Sequence, residues 1–303
     1  MLKDATKLSY WWLAVKPASL VKIVLPVQVG ASMGYAQTRV VDGGLLCSIL
    51  LFALLVQLAI VLLNDYADRE ADAVHAELFP QLIDLRVIPQ GLIGARQVLM
   101  AGCGTALGVV GSGLLLDMLY GRDYGFHLAL VSLLVFWLYS FSPAKLNYRG
   151  GGELLEMVGV GGVLPLAGFY FYSGILWDYP FLLVLPLLCY ALVSALASGL
   201  KHEPADRRTG KKTMSVLLST AAVRRTIFAL QWVAAGCTVW AYFQGWYGLF
   251  MLFLGALLPL LLALVGCTKQ VDYKDLAALG VYKQLLSRAA YSTSLGLVLD
   301  FVL

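Results

Sequence analysis

The residues best equipped for chemistry lie in one run, NDYADREAD, from Asn64 to Asp72. On a continuing helix Asn64, Asp68 and Asp72 recur at i, i+4 and i+8, with Asp65 three residues before Asp68. Four oxygen-bearing side chains then share one face. Carboxylates that close repel one another unless a positive charge sits among them. Hard oxygen ligands suit Mg²⁺, which takes one or two carboxylates and completes its shell with water and substrate phosphates. In a soluble protein such a run is usually only a solvated helix end; the rest of this chain favours the metal.

Two further segments carry polar chemistry. KHEPADRRTGKKT, from Lys201 to Thr213, puts His202, Glu203 and Asp206 on one helical face, with Lys211 and Lys212 a further turn on. Acidic ligands followed by a glycine and paired lysines make sense where a metal holds a diphosphate and cations neutralise what the metal does not. A basic juxtamembrane loop expected from topology alone is the alternative. YSFSPAKLNYRGGGE, from Tyr139 to Glu153, offers Lys145 and Arg149 for an anion, Tyr139 or Tyr148 for an aromatic substrate, and three glycines that allow close backbone approach. A flexible turn with snorkelling cations and interfacial tyrosines would look similar. In LRVIPQGLIGARQV, Arg86 is the evident anion ligand.

The elements that must position these groups are membrane helices. With 60% hydrophobic and 13% charged residues, and a mean hydropathy of +0.80, the chain is far more apolar than soluble domains, which average about 45–50%. Crossing the hydrocarbon takes about 20 apolar residues. On that ruler nine spans fit, at roughly 19–38, 43–65, 96–118, 126–142, 153–174, 179–201, 222–243, 247–267 and 284–303. With the N-terminus in the cytoplasm, all of the 22 lysines and arginines except Lys22, Arg39 and Arg122 fall in cytoplasmic segments, the bias expected of that orientation. The net charge of +4 is therefore a matter of topology, and nucleic-acid binding is not implied. Residues 1–18, with Tyr10, Trp11 and Trp12 beside Lys16, read as an interfacial segment rather than a cleaved signal. Segments 66–95 and 202–221 read as cytoplasmic active-site loops of a single domain, 1–303. Cys47, Cys103, Cys189, Cys237 and Cys267 lack metal or redox spacing and read as small buried hydrophobes. Gly102, Gly104, Gly108, Gly111 and Gly113 on span three read as helix-packing positions.

At this point a family resemblance is visible. NDYADREAD resembles the NDxxDxxxD motif of the UbiA superfamily of intramembrane aromatic prenyltransferases, whose architecture is a bundle of nine helices with two acidic cytoplasmic loops. LAVKPASLVKIVLPVQVGAS is similar to that family's opening Arg-Pro helix with lysine in place of arginine, and RVIPQGLIGARQV to the segment after the first motif. YSFSPAKLNYRGGGELLEMVGVGGVLPLAGFYFYSG looks most like the branch that prenylates 1,4-dihydroxy-2-naphthoate in menaquinone synthesis.

The resemblance implies an all-α UbiA-like bundle in a bacterial inner membrane, its active site facing the cytoplasm. It implies Mg²⁺-dependent transfer of a polyprenyl group from polyprenyl diphosphate to an aromatic acceptor. Asn64, Asp65, Asp68, Asp72, Glu203 and Asp206 would hold metal, with Asp68, Asp72 and Asp206 catalytic. Arg86, Tyr139, Lys145, Tyr148, Arg149, Lys201, His202 and Lys211 would meet substrate. The family's second motif is an Asp-xxx-Asp helix end before a GKRT-like run. Here Asp206 and Gly210 to Thr213 match, but His202 stands where an aspartate is expected, so either Glu203 substitutes or the second metal site is altered. Other aromatic acceptors, a terpene cyclase of the same superfamily, and a non-catalytic transporter are the competing readings. Transporters bury ionisable groups near the bilayer midplane; here the acidic clusters fall at the cytoplasmic ends of spans.

Overall fold

The computed structural model describes residues 7–79, 86–267 and 276–303. Among the described residues the chain is helical throughout, with no strand. Seven helices are long and apolar enough to cross a membrane: Lys7–Thr38, Gly43–Ala67, Ala95–Tyr120, Gly152–Ser173, Phe181–Arg208, Thr220–Phe243 and Leu249–Cys267. The chain is an integral membrane protein. Of the two other expected spans, one is the shorter helix Gly125–Ser140. The last lies in Leu276–Val302, a 27-residue helix. Its stretch from Ser287 to Ser294 is too polar for a lipid-exposed span, but Thr293 and Ser294 are buried. This helix packs against both Leu20–Thr38 and the helix ending at Arg208. Thr293 and Ser294 therefore face protein. Lys3, Lys269, Lys274 and residues 80–85 of the first expected loop lie outside the described residues.

Helix Leu20–Thr38 crosses the Gly152–Ser173 segment at backbone contact. A Cβ on Gly30 would lie 1.9 Å from the Pro165 carbonyl oxygen, and one on Gly168 would lie 2.0 Å from that of Val27. No other residue type fits at either point. On Ala95–Tyr120 the expected glycine seam is partial. Gly102, Gly108 and Gly113 meet Leu63, Leu55 and Gly125, whereas Gly104 and Gly111 face open space. The cysteines also depart from expectation: all five are free, Cys47, Cys103 and Cys267 are exposed, and the other two are half-buried. Small apolar residues incur little cost against lipid, so nothing drives them inward.

Two expected loops prove largely helical. The helix beginning at Phe181 runs on through His202, Glu203 and Asp206 to Arg208, 28 residues in all. At 1.5 Å per residue that is about 42 Å, enough to carry its last turns beyond the hydrocarbon. The other segment contains helix Arg69–Leu78 and, after the undescribed residues, a turn from Val87 to Gly91. Tyr10 and Trp11, on the N-terminal helix Lys7–Val15, pack with Ala14, Leu62, Val87 and Ile93. That cluster fixes the turn, and with it Arg86, against the end of Gly43–Ala67.

Candidate active site

The acidic run does not form one straight helix. Gly43–Ala67 ends and Arg69–Leu78 begins at Asp68, whose φ of −96° and ψ of 6° lie outside the helical region. The hydrogen-bond spacing nevertheless continues, Asp68 N–H to Asn64 C=O at 2.8 Å and Asp72 N–H to Asp68 C=O at 2.8 Å. The carboxylates accordingly stay on one side while the chain bends. Such bridge-region geometry recurs at active-site residues. Asp72 also sits in the first turn of its helix, where a negative charge is favoured by the dipole.

Asp65, Asp68, Asp72 and Asp206 are all buried, and each meets a cation. Lys16 pairs with Asp65. Arg86 Nη1 lies 3.3 Å from Asp72 and 3.9 Å from Asp65. Lys211 Nζ lies 2.8 Å from Asp68 Oδ1 and 3.9 Å from Asp206, so it ties the two acidic segments together. Gly210, with φ of +73°, makes the left-handed turn that sends Lys211 back toward Asp206. Asn64 is aimed by its neighbours: Nδ2 donates to Asp68 at 3.4 Å and Oδ1 accepts from Ser140 at 3.4 Å. Burial raises the Asp72 carboxyl above its usual range; Arg86 and then Lys16 pull it back, while Asp68 and Asp65 push it up further.

Lys16, Asn64, Asp68, Asp72, Arg86, Asp206 and Lys211 surround a polar hollow of about 290 Å³, lined also by His202, Asn147, Glu153, Thr213 and Lys283; Asp65, an expected metal ligand, does not line it and instead pairs with Lys16. His202 packs at a tilt of 54° against the buried His75, ring centroids 4.8 Å apart. Glu203 is placed differently from its helical neighbours: it accepts from Arg207 at 2.7 Å and does not line the hollow. The third segment contributes through residues that the sequence did not single out. A Cβ on Gly152 would lie 2.9 Å from Asn147 Cα, so the glycines let this segment fold on itself and present Asn147 and Glu153 inward. Tyr139 faces the hollow, whereas Lys145, Tyr148, Arg149 and Lys201 do not line it. Tyr148 lies under Lys145, 3.7 Å from its ring centre, and 5.1 Å from Lys211. Burial first, then Asp68 and Asp206, raise its hydroxyl pKa and keep the phenol neutral.

The hollow opens into a second, mainly apolar cavity of about 290 Å³ toward the membrane interior. Lys16, Asn64, Tyr139, Glu156 and Ser198 line both. Lys16 and Glu156 escape sequence reading because their partners are distant in the chain. The lysine-proline start of the first membrane helix was the one available signal for Lys16.

Whether the donors fit a metal can be tested on their present partners. Asp68 Oδ1 faces Lys211 at ion-pair distance but outside hydrogen-bond geometry. It is buried without a hydrogen-bond partner, as are both amide atoms of Asn147, Glu153 Oε2 and Thr213 Oγ1. Buried polar atoms are rarely left so. Among the described residues no three His, Cys, Asp or Glu side chains converge closely enough to hold a metal unaided. An oxygen-only set that needs further ligands fits Mg²⁺ completed by phosphate oxygens, and fits zinc poorly.

Known proteins share this architecture. The 1,4-dihydroxy-2-naphthoate octaprenyltransferase of Bacillus subtilis (strain 168) is 24% identical over 210 residues, which are 68% of this chain and 65% of that protein, just under two thirds of its length. A UbiA homolog from Archaeoglobus fulgidus, solved bound to GPP and Mg²⁺, superposes with a TM-score of 0.68 at 13% identity, covering 94% of this chain and 99% of that one. The apo structure of a UbiA homolog from Aeropyrum pernix K1 gives 0.70 at 14% identity, covering 91% and 96%. The pattern of the UbiA prenyltransferase family matches residues 23–282. Fold, acidic hollow and sequence pattern agree: this chain belongs to the UbiA prenyltransferase family.

Proposed function

We propose that the chain transfers a polyprenyl group from polyprenyl diphosphate to an aromatic acceptor, 1,4-dihydroxy-2-naphthoate being the acceptor best supported. The observation that carries this reading is a polar hollow of paired carboxylates and cations, continuous with an apolar cavity. One suits a diphosphate and the other an isoprenoid and a ring. The Bacillus subtilis relative supports the naphthoate acceptor, and the Archaeoglobus fulgidus homolog bound to GPP and Mg²⁺ supports the metal and the leaving group.

Asn64, Asp68, Asp72 and Asp206 are the residues that would hold Mg²⁺. When bound, the metal supplies charge stabilisation to the departing diphosphate. Arg86 and Lys211, now paired with carboxylates, would shift toward phosphate oxygens, whose negative charge grows as the allylic C–O bond breaks. Donors fixed in a buried site stabilise that charge more than they stabilise the intact ester. The apolar cavity excludes water from the allylic cation, and Tyr139 at the junction presents a ring beside it. The placement of nine spans with the N-terminus in the cytoplasm, and of the hollow at the inner face of a bacterial membrane, belongs to the same proposal and rests on the lysine and arginine distribution.

The test is incubation of purified protein with Mg²⁺, a panel of prenyl diphosphates and either dihydroxynaphthoate or 4-hydroxybenzoate, with products identified by mass. A prenylated aromatic compound is expected, and it should vanish in Asp68→Ala while membrane insertion persists. Cyclised hydrocarbon without acceptor would point to a terpene cyclase; absence of product with every pair would refute the enzymatic reading.

A further inference from the structure

Lys22 and Glu156 form an ion pair in the wall of the apolar cavity. Lys22 stands in the first turn of Leu20–Thr38; Glu156 stands just before the π-helical stretch Gly159–Val163. Their side chains are 30% and 17% exposed, with Ile23 and Val160 beside them in the same wall. Withdrawing opposite charges from water costs desolvation that their attraction need not return. Packing alone does not favour an ion pair there.

Position separates this lysine from the phosphate-side cations. Lys16, Arg86 and Lys211 line the polar hollow, and each meets an aspartate of the acidic segments. Lys22 lines the apolar cavity and not the polar hollow, whereas Glu156 lines both. An ammonium carries three N–H donors, and Glu156 takes one. That leaves two donors on a residue lining a mainly apolar cavity, the usual composition of a site for a small ring-bearing molecule oriented by a few polar groups.

We infer that Lys22, held in position by Glu156, anchors the carboxylate of an aromatic acid acceptor and so confers a preference for acceptors carrying that group. The inference rests on the prenyl-transfer reading. Two donors to one carboxylate fix the ring's orientation as well as its position. The ring is thereby held on the cavity side, with its free edge toward the junction at Tyr139 and Asn64 where the allylic carbon would lie. Lys22 is thus a specificity residue, distinct from the leaving-group cations.

Equilibrium binding to the full chain in detergent tests this without requiring turnover, using 1-hydroxy-2-naphthoate and its carboxylate-free counterpart 1-naphthol. Wild type should bind the acid more tightly. Lys22→Met should weaken the acid by about 10- to 100-fold, the worth of a charge-assisted hydrogen bond, and leave 1-naphthol within about twofold. Lys22→Arg should retain most of the preference, and the KM for prenyl diphosphate should not change in either variant. Equal weakening of both ligands, which a purely structural role predicts, would overturn the inference. A rise in KM for the diphosphate would place Lys22 on the leaving-group side instead, and wild type failing to prefer the acid would refute it outright. Discrimination without any product would leave this assignment standing and count against prenyl transfer.

Discussion

Lys211→Met is the most searching perturbation of the polar hollow. Lys211 is buried between Asp68 at 2.8 Å and Asp206 at 3.9 Å, contributed by different helices. At an effective dielectric constant of about 20, unit charges at those distances attract by about 6 and 4 kcal/mol before desolvation is subtracted. Removing one partner of a buried pair costs about 3–5 kcal/mol in practice, because the remaining charge is left uncompensated. Ligand-free Lys211→Met should therefore be less stable by about that amount, read as a lower unfolding temperature in detergent. Two carboxylates relieved of a competing ammonium should bind Mg²⁺ more tightly, whereas a diphosphate that has lost a cation should bind more weakly. Opposite shifts in the Mg²⁺ requirement and in the KM for prenyl diphosphate are thus the expected outcome. Parallel weakening of both, or unchanged stability, would refute the idea that Lys211 stands in for the metal between two acidic segments.

Other outcomes follow from the same geometry. Glu203→Gln should leave turnover within about threefold of wild type, since its partner Arg207 is exposed and such pairs contribute little; a loss as deep as that of Asp206→Asn would return Glu203 to the metal. Because the folded protein holds the Asp72 proton more tightly than the unfolded chain, that group's contribution to metal-free stability is present below the ordinary carboxylate pKa and lost as pH rises through the folded value. Arg86→Met removes the larger of the two charges that lower it. The acid limb of Mg²⁺-dependent turnover should then move to higher pH, and a pH profile in which it stays or falls would count against the pairing. Gly168→Ala should cost about 3 kcal/mol or more, because its Cβ meets a carbonyl at 2.0 Å; Gly104→Ala, facing open space, should leave the unfolding temperature unchanged.

What could be read from sequence was whatever is local. Asn64 to Asp72 announce themselves because helical spacing gathers them without help from the rest of the fold. Membrane helices show through composition, and even Leu276–Val302 could be expected from residues 284–303, although Thr293 and Ser294 interrupt its apolar pattern and are buried against protein. Glu203 and His202 mark the limit of face-counting: adjacent on one helix, one turns to Arg207 and the other to the hollow. Lys16 reaches Asp65 across 49 positions and Lys22 reaches Glu156 across 134. Pairings at such separations depend on helix packing, and nothing in local spacing encodes them.

The Gly30–Gly168 crossing has a consequence for traffic through the bilayer. The wall of the apolar cavity reaches Ile23 and Leu164, and one turn beyond them the backbones of the two helices touch. The chamber is therefore blind at that corner, sealed by main chain rather than by side chains that can swing aside. Neither an isoprenoid nor a solute can pass this seam without prising two helices apart. Catalysis on a membrane-borne substrate needs no such exit, whereas carriage across the membrane would.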